Sequence, residues 1–390
     1  MDIVNSVRGQ TSASASSCSG GRFVKKSLTA PVVLGALALA LGGCATPPAA
    51  TSAAPTATAA TSVAQSDFKA CMVSDAGGFD DKSFNETAYA GLTKAVAELG
   101  VQKAEVQSQV AADYAKNVQA MVTAKCDIIV TVGFALGDAT AAAAKKNPDI
   151  KFAIVDFAYT DEDGKNIAEK NVKGLVFNTA EPSFMAGYLA ASLSQTGKVG
   201  TFGGAPYPSV TAFMDGYARG VTHFNEQKGK KVAVLGWDVA KKDGTFIGGQ
   251  DPFGDLSGGK KSASNLVAQG ADILLPVAGP AGEGALQVAK ASNGKVGSMW
   301  VDTDGCISQE QYCAVIPTSV GKAMDVAVFE AIKAAKDGSF SNEPFVGTLE
   351  NGGAYLAPFH EWDPKVSAET RAELDKIKAD IIAGTIKTSA

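Results

Sequence analysis

Histidine is nearly missing from this chain: 390 residues hold two, His223 and His360. No CxxC occurs, so neither of the usual spacings for a zinc site is present and no metal is expected. Basic residues are not in excess. The 35 Lys and Arg face 40 Asp and Glu, a formal charge of −5, and a nucleic-acid partner would need clustered cations that are not here. Long apolar runs are absent too. The longest, Pro31 to Leu41, is too short to span a bilayer, and no second run approaches the ~18 residues a membrane helix needs. The glycine turn Val277-Ala278-Gly279-Pro280-Ala281-Gly282-Glu283-Gly284 lacks a Walker lysine and a complete GxGxxG, so it signals phosphate binding only weakly, and no cofactor is expected.

The short apolar run is informative for what surrounds it. Arg22, Lys25 and Lys26 precede it as a basic flank, and Leu41-Gly42-Gly43-Cys44 follows it as a small-residue cleavage site with a cysteine directly behind. This is the layout of an export signal. It resembles a bacterial lipobox, in which Cys44 would be acylated and become the mature N-terminus. Acyl chains contribute roughly 0.8 kcal/mol per buried methylene, so two or three make a stable anchor. Residues 1–43 therefore read as a lipoprotein signal peptide. Residues 44–66 read as the lipid anchor and a disordered tether of Ala, Thr, Ser and Pro, with too little large apolar surface to offset the entropy of ordering. The expected location is the extracytoplasmic face of a cell membrane.

Beyond the anchor four cysteines remain: Cys71, Cys126, Cys306 and Cys313. Outside the cytoplasm an even number points to disulfides. Cys306 and Cys313 flank a short polar loop. Cys71 and Cys126 each stand at the start of an expected parallel strand, and neighbouring strands would bring those starts together.

From residue 67 onward short apolar segments alternate with amphipathic ones. Strands are expected at 69–74, 127–132, 151–155, 172–177, 198–202, 231–236, 272–277 and 298–301, with helices at 85–99, 113–124, 138–146, 183–193, 210–226, 261–269 and 282–291. Such alternation implies an α/β fold with parallel sheets covered on both faces. Two series in tandem imply two doubly wound lobes. The first spans 67–178 with a later segment near 305–345; the second spans 179–304 with the C-terminal segment near 346–390. Ligands of open parallel sheets sit beyond the carboxyl ends of the strands.

Those ends carry a consistent chemistry. The first strand runs into Asp75-Ala76-Gly77-Gly78-Phe79-Asp80-Asp81-Lys82-Ser83-Phe84-Asn85, in which glycines permit a tight turn and aspartates supply acceptors. Asp81 or Ser83 could equally cap the following helix, with Phe84 tucked into the core. Asp156 follows another strand, and Asp302 and Asp304 a third. Asp302 to Cys313 is not a calcium loop, because its glycine comes too early and its twelfth residue is a cysteine. Phe253, in Asp251-Pro252-Phe253-Gly254-Asp255, is a second ring in a polar turn. Two rings from different lobes could sandwich a planar heterocycle, a contact of roughly 1–3 kcal/mol per base. By itself Lys322 reads as a solvated charge on a helix after Pro317.

The lipobox, the D-x-G-G-x-x-D-x-S-F-N opening, Val132-Gly133-Phe134, K-x-N-P-D-x-K-F-A-x-V-D at 145–156, and V-D-T-D followed by T-S-V-x-K together resemble the basic membrane lipoprotein (BMP) family of purine-nucleoside-receptor-like binding lipoproteins. The likeness runs from about Lys69 to at least Phe359. It implies a periplasmic-binding-protein-like type I fold that hands nucleosides to the permease of an ABC importer, with no catalytic residues, and it leaves the chain a monomer. The base would stack between Phe84 and Phe253, with Asp75, Asp81 and Asp156 along its edge. The ribose would meet Asp302, Lys322 and the backbone at Gly279. Rival readings are a binding protein for a sugar or autoinducer, and a secreted nucleoside hydrolase. The hydrolase lacks half its metal-ligating aspartates, since Ser74 and Ala76 stand in their places, and has no histidine near an expected cleft loop.

Overall fold

The computed structural model describes residues 64–389; Cys44 and the segments expected to be signal peptide and tether, up to residue 63, lie outside them. The chain enters through β1 (Lys69–Ser74), α1 (Phe84–Leu99), β2 (Gln102–Val106), α2 (Tyr114–Thr123), β3 (Ile128–Val132), α3 (Gly137–Lys146), β4 (Lys151–Val155) and β5 (Val172–Phe177). β1, β3 and β4 are apolar and buried almost throughout, which suits the centre of a parallel sheet covered on both faces. β2, Gln-Lys-Ala-Glu-Val, alternates half-buried with exposed positions and lies at the sheet edge. Its charged residues mask it in the sequence, and no strand was expected there.

The second lobe begins with α4 (Ala180–Leu193), β6 (Lys198–Gly203), α5 (Pro208–Lys228) and β7 (Ala233–Leu235). A small hairpin of β8 (Trp237–Asp238) and β9 (Asp243–Gly244) follows. α6 (Leu256–Ala268), β10 (Ile273–Val277), α7 (Glu283–Ala291), β11 (Gly297–Ser298), β12 (Trp300–Asp302), the single turn α8 (Gly305–Ser308) and β13 (Ser319–Lys322) continue it. β11, β10, β6 and β7 pair in that order, all parallel. α4 is buried on nearly every face and runs against α5 at backbone distance. Glycine makes that approach possible: a Cβ on Gly187 would strike the Tyr217 carbonyl, and one on Gly220 the Phe184 carbonyl.

α9 (Met324–Lys336) and β14 (Phe345–Gly347) then return to the first lobe, α9 against α1 and β14 parallel to β5. The first sheet thus reads β14-β5-β4-β3-β1-β2. β15 (Ala354–Leu356) pairs antiparallel with β13, and α10 (Ala368–Ile382) lies on α4. The returning segment was expected to begin near residue 305, and the structure moves that boundary. Val315 and Ile316 belong to the core of the second lobe with Phe202 and Trp300, whereas Met324, Val328 and Phe329 belong to the core of the first. The chain changes lobe at 178–179, at Ala323 and between Gly347 and Ala354. These crossings are stitched together, Asn178 N–H donating to Gly347 O and Ala323 N–H to Gly353 O.

Both disulfides are present. Cys71–Cys126 ties β1 to the start of β3 inside the first lobe, and Cys306–Cys313 closes the loop after β12. Asp304, Cys306 and His360 place potential ligand atoms close together, but the Cys306 sulfur is spent on Cys313. No helix among the described residues is long and apolar enough to cross a membrane.

Candidate functional site

The carboxyl ends of β1, β3 and β4 in one lobe meet those of β6, β10, β12 and β13 in the other around a cavity. All eight residues expected to touch a ligand line it: Asp75, Asp81, Phe84, Asp156, Phe253, Gly279, Asp302 and Lys322. Neither histidine does.

At one end Asp75 leaves β1 and accepts a hydrogen bond from Asn85 Nδ2 at 2.8 Å. Gly133 makes room for it. At φ 117° this residue holds a backbone that favours glycine, and a Cβ there would collide with the Asp75 carboxylate. Burial pushes the Asp75 carboxyl up to about 8. Asp81, Asp156 and Asp302 push the same way, and the Asn85 bond opposes them. At neutral pH this carboxyl holds its proton much of the time and can donate as well as accept.

Asp81 borders the cavity, but its carboxylate is committed elsewhere. Oδ1 accepts from the backbone of Ser83 and Glu86, and Oδ2 from the backbone and side chain of Asn85. It satisfies the free N–H groups at the start of α1, the capping role that the sequence left open. Asp81 is expected along a base edge, and these four bonds leave little of its acceptor capacity for a ligand. Phe84 combines both roles weighed for it, packing against the core of the first lobe while its ring borders the cavity.

The other end is built around Lys322. Instead of a solvated helical charge it is the last residue of β13, 2 % exposed. Its Nζ donates to Asp156 Oδ2 at 2.6 Å and pairs with Asp302 Oδ1 at 3.2 Å. Nζ also lies 4.9 Å from the centre of the Phe84 ring and 5.1 Å from that of Phe213. Burial alone would lower the lysine pKa; the two carboxylates outweigh it and hold the ammonium charged. For Asp156 burial raises the pKa against the pull of Lys322. Asp156 thus belongs with Asp302 and Lys322 rather than with Asp75. Both aspartates sit at strand ends in the left-handed region, φ 62° and 72°, which aspartate tolerates better than most residues.

Phe253 closes a third side, its ring resting on Gly204, where a Cβ would overlap it. Its ring centre is 6.0 Å from Tyr207, which stacks at 5.2 Å on Phe134 of the opposite lobe. Where the sequence suggested two rings, five border the cavity: Phe84, Phe134, Tyr207, Phe213 and Phe253. Asn85, Tyr207, Ser209 and Phe213 carried no assigned role. Tyr207 and Ser209 follow the end of β6, so the strand-end rule could have drawn attention to them.

Comparison with known proteins agrees with this architecture. The family described as ABC transporter substrate-binding protein, PnrA-like, matches residues 68–388. The chain is 30% identical over 341 residues to the ABC transporter nucleoside-binding protein BmpA of Lactococcus lactis, covering 83% of this chain and 89% of that one. It is 30% identical to basic membrane protein A of Borreliella burgdorferi, over 78% and 83% of the two chains. An uncharacterized lipoprotein of Pyrococcus abyssi is 32% identical, over 80% and 73%. Among solved structures, an ABC transporter solute-binding protein from Aeropyrum pernix superposes with a TM-score of 0.71 at 26% identity, over 82% of this chain and 92% of that one.

Proposed function

We propose, from the premise that the chain belongs to the family of PnrA-like ABC transporter substrate-binding proteins, that its interlobe cavity holds a nucleoside, of purine type by the chemistry of its walls. The observation that carries the reading is one cavity furnished for both halves of such a ligand. Aromatic faces from both lobes suit a planar base, which binds by stacking. Asp75 offers the base edge a carboxyl that can give or take a proton in a hydrogen bond. At the opposite end Asp302 and Lys322 offer a carboxylate and an ammonium to sugar hydroxyls. Selectivity would arise because a ligand without the matching N–H or O–H leaves a buried polar group unpaired.

Members of the family bind a small ligand and work with a membrane permease. For this chain we propose Cys44 as the lipidated residue and the segment after it as the tether. The protein would then work as a membrane-anchored monomer that closes on its ligand and presents itself to the permease.

Calorimetric titration of residues 61–390, which form one compact unit, tests the reading. Bound ligand is first removed by unfolding and refolding, and guanosine, adenosine, cytidine and ribose are then added. Micromolar or tighter binding of a purine nucleoside, about −8 kcal/mol, is expected, with ribose alone silent. Silence from all nucleosides would refute it and redirect the search to sugars and signalling molecules.

A further inference from the structure

Ser83 occupies the N-cap position of α1, the place where a serine hydroxyl normally accepts from its own helix, yet it makes no such bond. Asp81 does the capping instead. The Ser83 hydroxyl points the other way, across the cleft. It donates to Asp302 Oδ2 at 2.9 Å and lies 3.3 Å from Val301 O, both in the second lobe. Its neighbour behaves likewise. Lys82 adopts a left-handed backbone, φ 58°, and its carbonyl accepts from Trp300 Nε1 at 3.2 Å, again across the lobes.

None of Lys82, Ser83 and Trp300 lines the cavity. A ligand in the cavity is therefore touched by Asp302 and not by the residues that hold Asp302 from outside. Ser83 is fully buried, so opening the lobes would hand its hydroxyl and one oxygen of Asp302 back to water.

We infer that Lys82–Ser83 and Trp300–Asp302 form an interlobe latch, in which Ser83 is a positioning residue. It fixes one oxygen of Asp302 from the first lobe while Lys322 engages the other from the second. The contact exists only when the lobes are closed. It therefore sets how long the closed form lasts, and through that the dissociation rate of whatever ligand lies inside. A buried hydrogen bond to a carboxylate is among the stronger kinds, so its loss should be felt kinetically.

The experiment compares wild type with Ser83→Ala in the full chain, using guanosine as the probe. This inference uses the nucleoside reading only for its choice of probe. Stopped-flow tryptophan fluorescence gives association and dissociation rates, and thermal unfolding without ligand gives stability. The expected result is a dissociation rate roughly 10- to 100-fold faster, an association rate within about twofold, and a ligand-free Tm nearly unchanged because Asp81 still caps α1. An unchanged dissociation rate overturns the latch. So does a large fall in ligand-free Tm, which would make Ser83 a structural residue of its own lobe. If wild type ignores guanosine, the nucleoside reading falls, and small-angle scattering of the ligand-free proteins decides the latch. A larger radius of gyration for Ser83→Ala supports it, and equal radii overturn it.

Discussion

The two ends of the cavity use the same residue type at the same place in the fold and give it different partners. At one end Asp75 follows β1 with an amide, Asn85, as its partner and no cation in contact, and its pKa is pushed up to about 8. At the other, Asp156 and Asp302 follow β4 and end β12 with Lys322 held between them by contacts of 2.6 and 3.2 Å. Delivery of a carboxylate to a cleft is thus a property of the strand end. Whether it meets an amide or a cation there depends on which strands the tertiary structure sets beside it.

Removing the cation should have the largest effect. Lys322→Met leaves Asp156 and Asp302 buried without a counter-charge, and a loss of about 3–5 kcal/mol is expected in urea unfolding, with ligand binding abolished. A variant as stable as wild type would mean that Asp156 and Asp302 do not need Lys322.

A smaller effect is expected from Asp81→Ala, which strips four hydrogen bonds from the start of α1. Stability should fall by about 2 kcal/mol, while affinity for a nucleoside changes little once the fraction folded is allowed for. A specific loss of affinity with stability intact would restore Asp81 to the base edge.

Asp75→Asn should act in the opposite, stabilising direction, with an effect that is smallest near pH 4 and depends on pH. The carboxyl rises from an ordinary 3.8 to about 8 on folding, so the native state binds the extra proton between those values. The contribution of Asp75 to stability is therefore undiminished below about pH 4 and declines as pH rises towards 8. The ligand-free variant should match wild type near pH 4 and gain on it with rising pH, by roughly 2–3 kcal/mol at pH 6. Parallel unfolding curves for the two proteins across this range would show that Asp75 is not perturbed by burial.

Legibility in the sequence followed local pattern. β1, β3 and β4 stand out as short apolar runs bounded by polar turns, and the acids after them follow once the strands are placed. β2 was hidden because an edge strand with one wet face carries Lys103 and Glu105. Lys322 was placed on a helix from local composition. β13 is four residues long, Ser-Val-Gly-Lys, and is a strand because β12 and β15 flank it. Ser83 looked like a helix cap because nothing nearby reveals that a carboxylate more than two hundred positions later would compete for its hydroxyl.

By itself the sequence determined the alternating α/β segments and the set of strand-end residues that face the cavity, and it pointed to both disulfides. Each of these rests on periodicity, on spacing or on a motif that short stretches of chain contain. Only the tertiary structure decided which of those residues are free to meet a ligand. It committed Asp81 to the backbone, gathered Asp156 with Asp302 and Lys322, set Tyr207 on Phe134, and turned Ser83 across the cleft. The reason is physical. A hydrogen bond or a pKa depends on what lies within a few ångströms, and across the cleft the neighbours come from the other lobe.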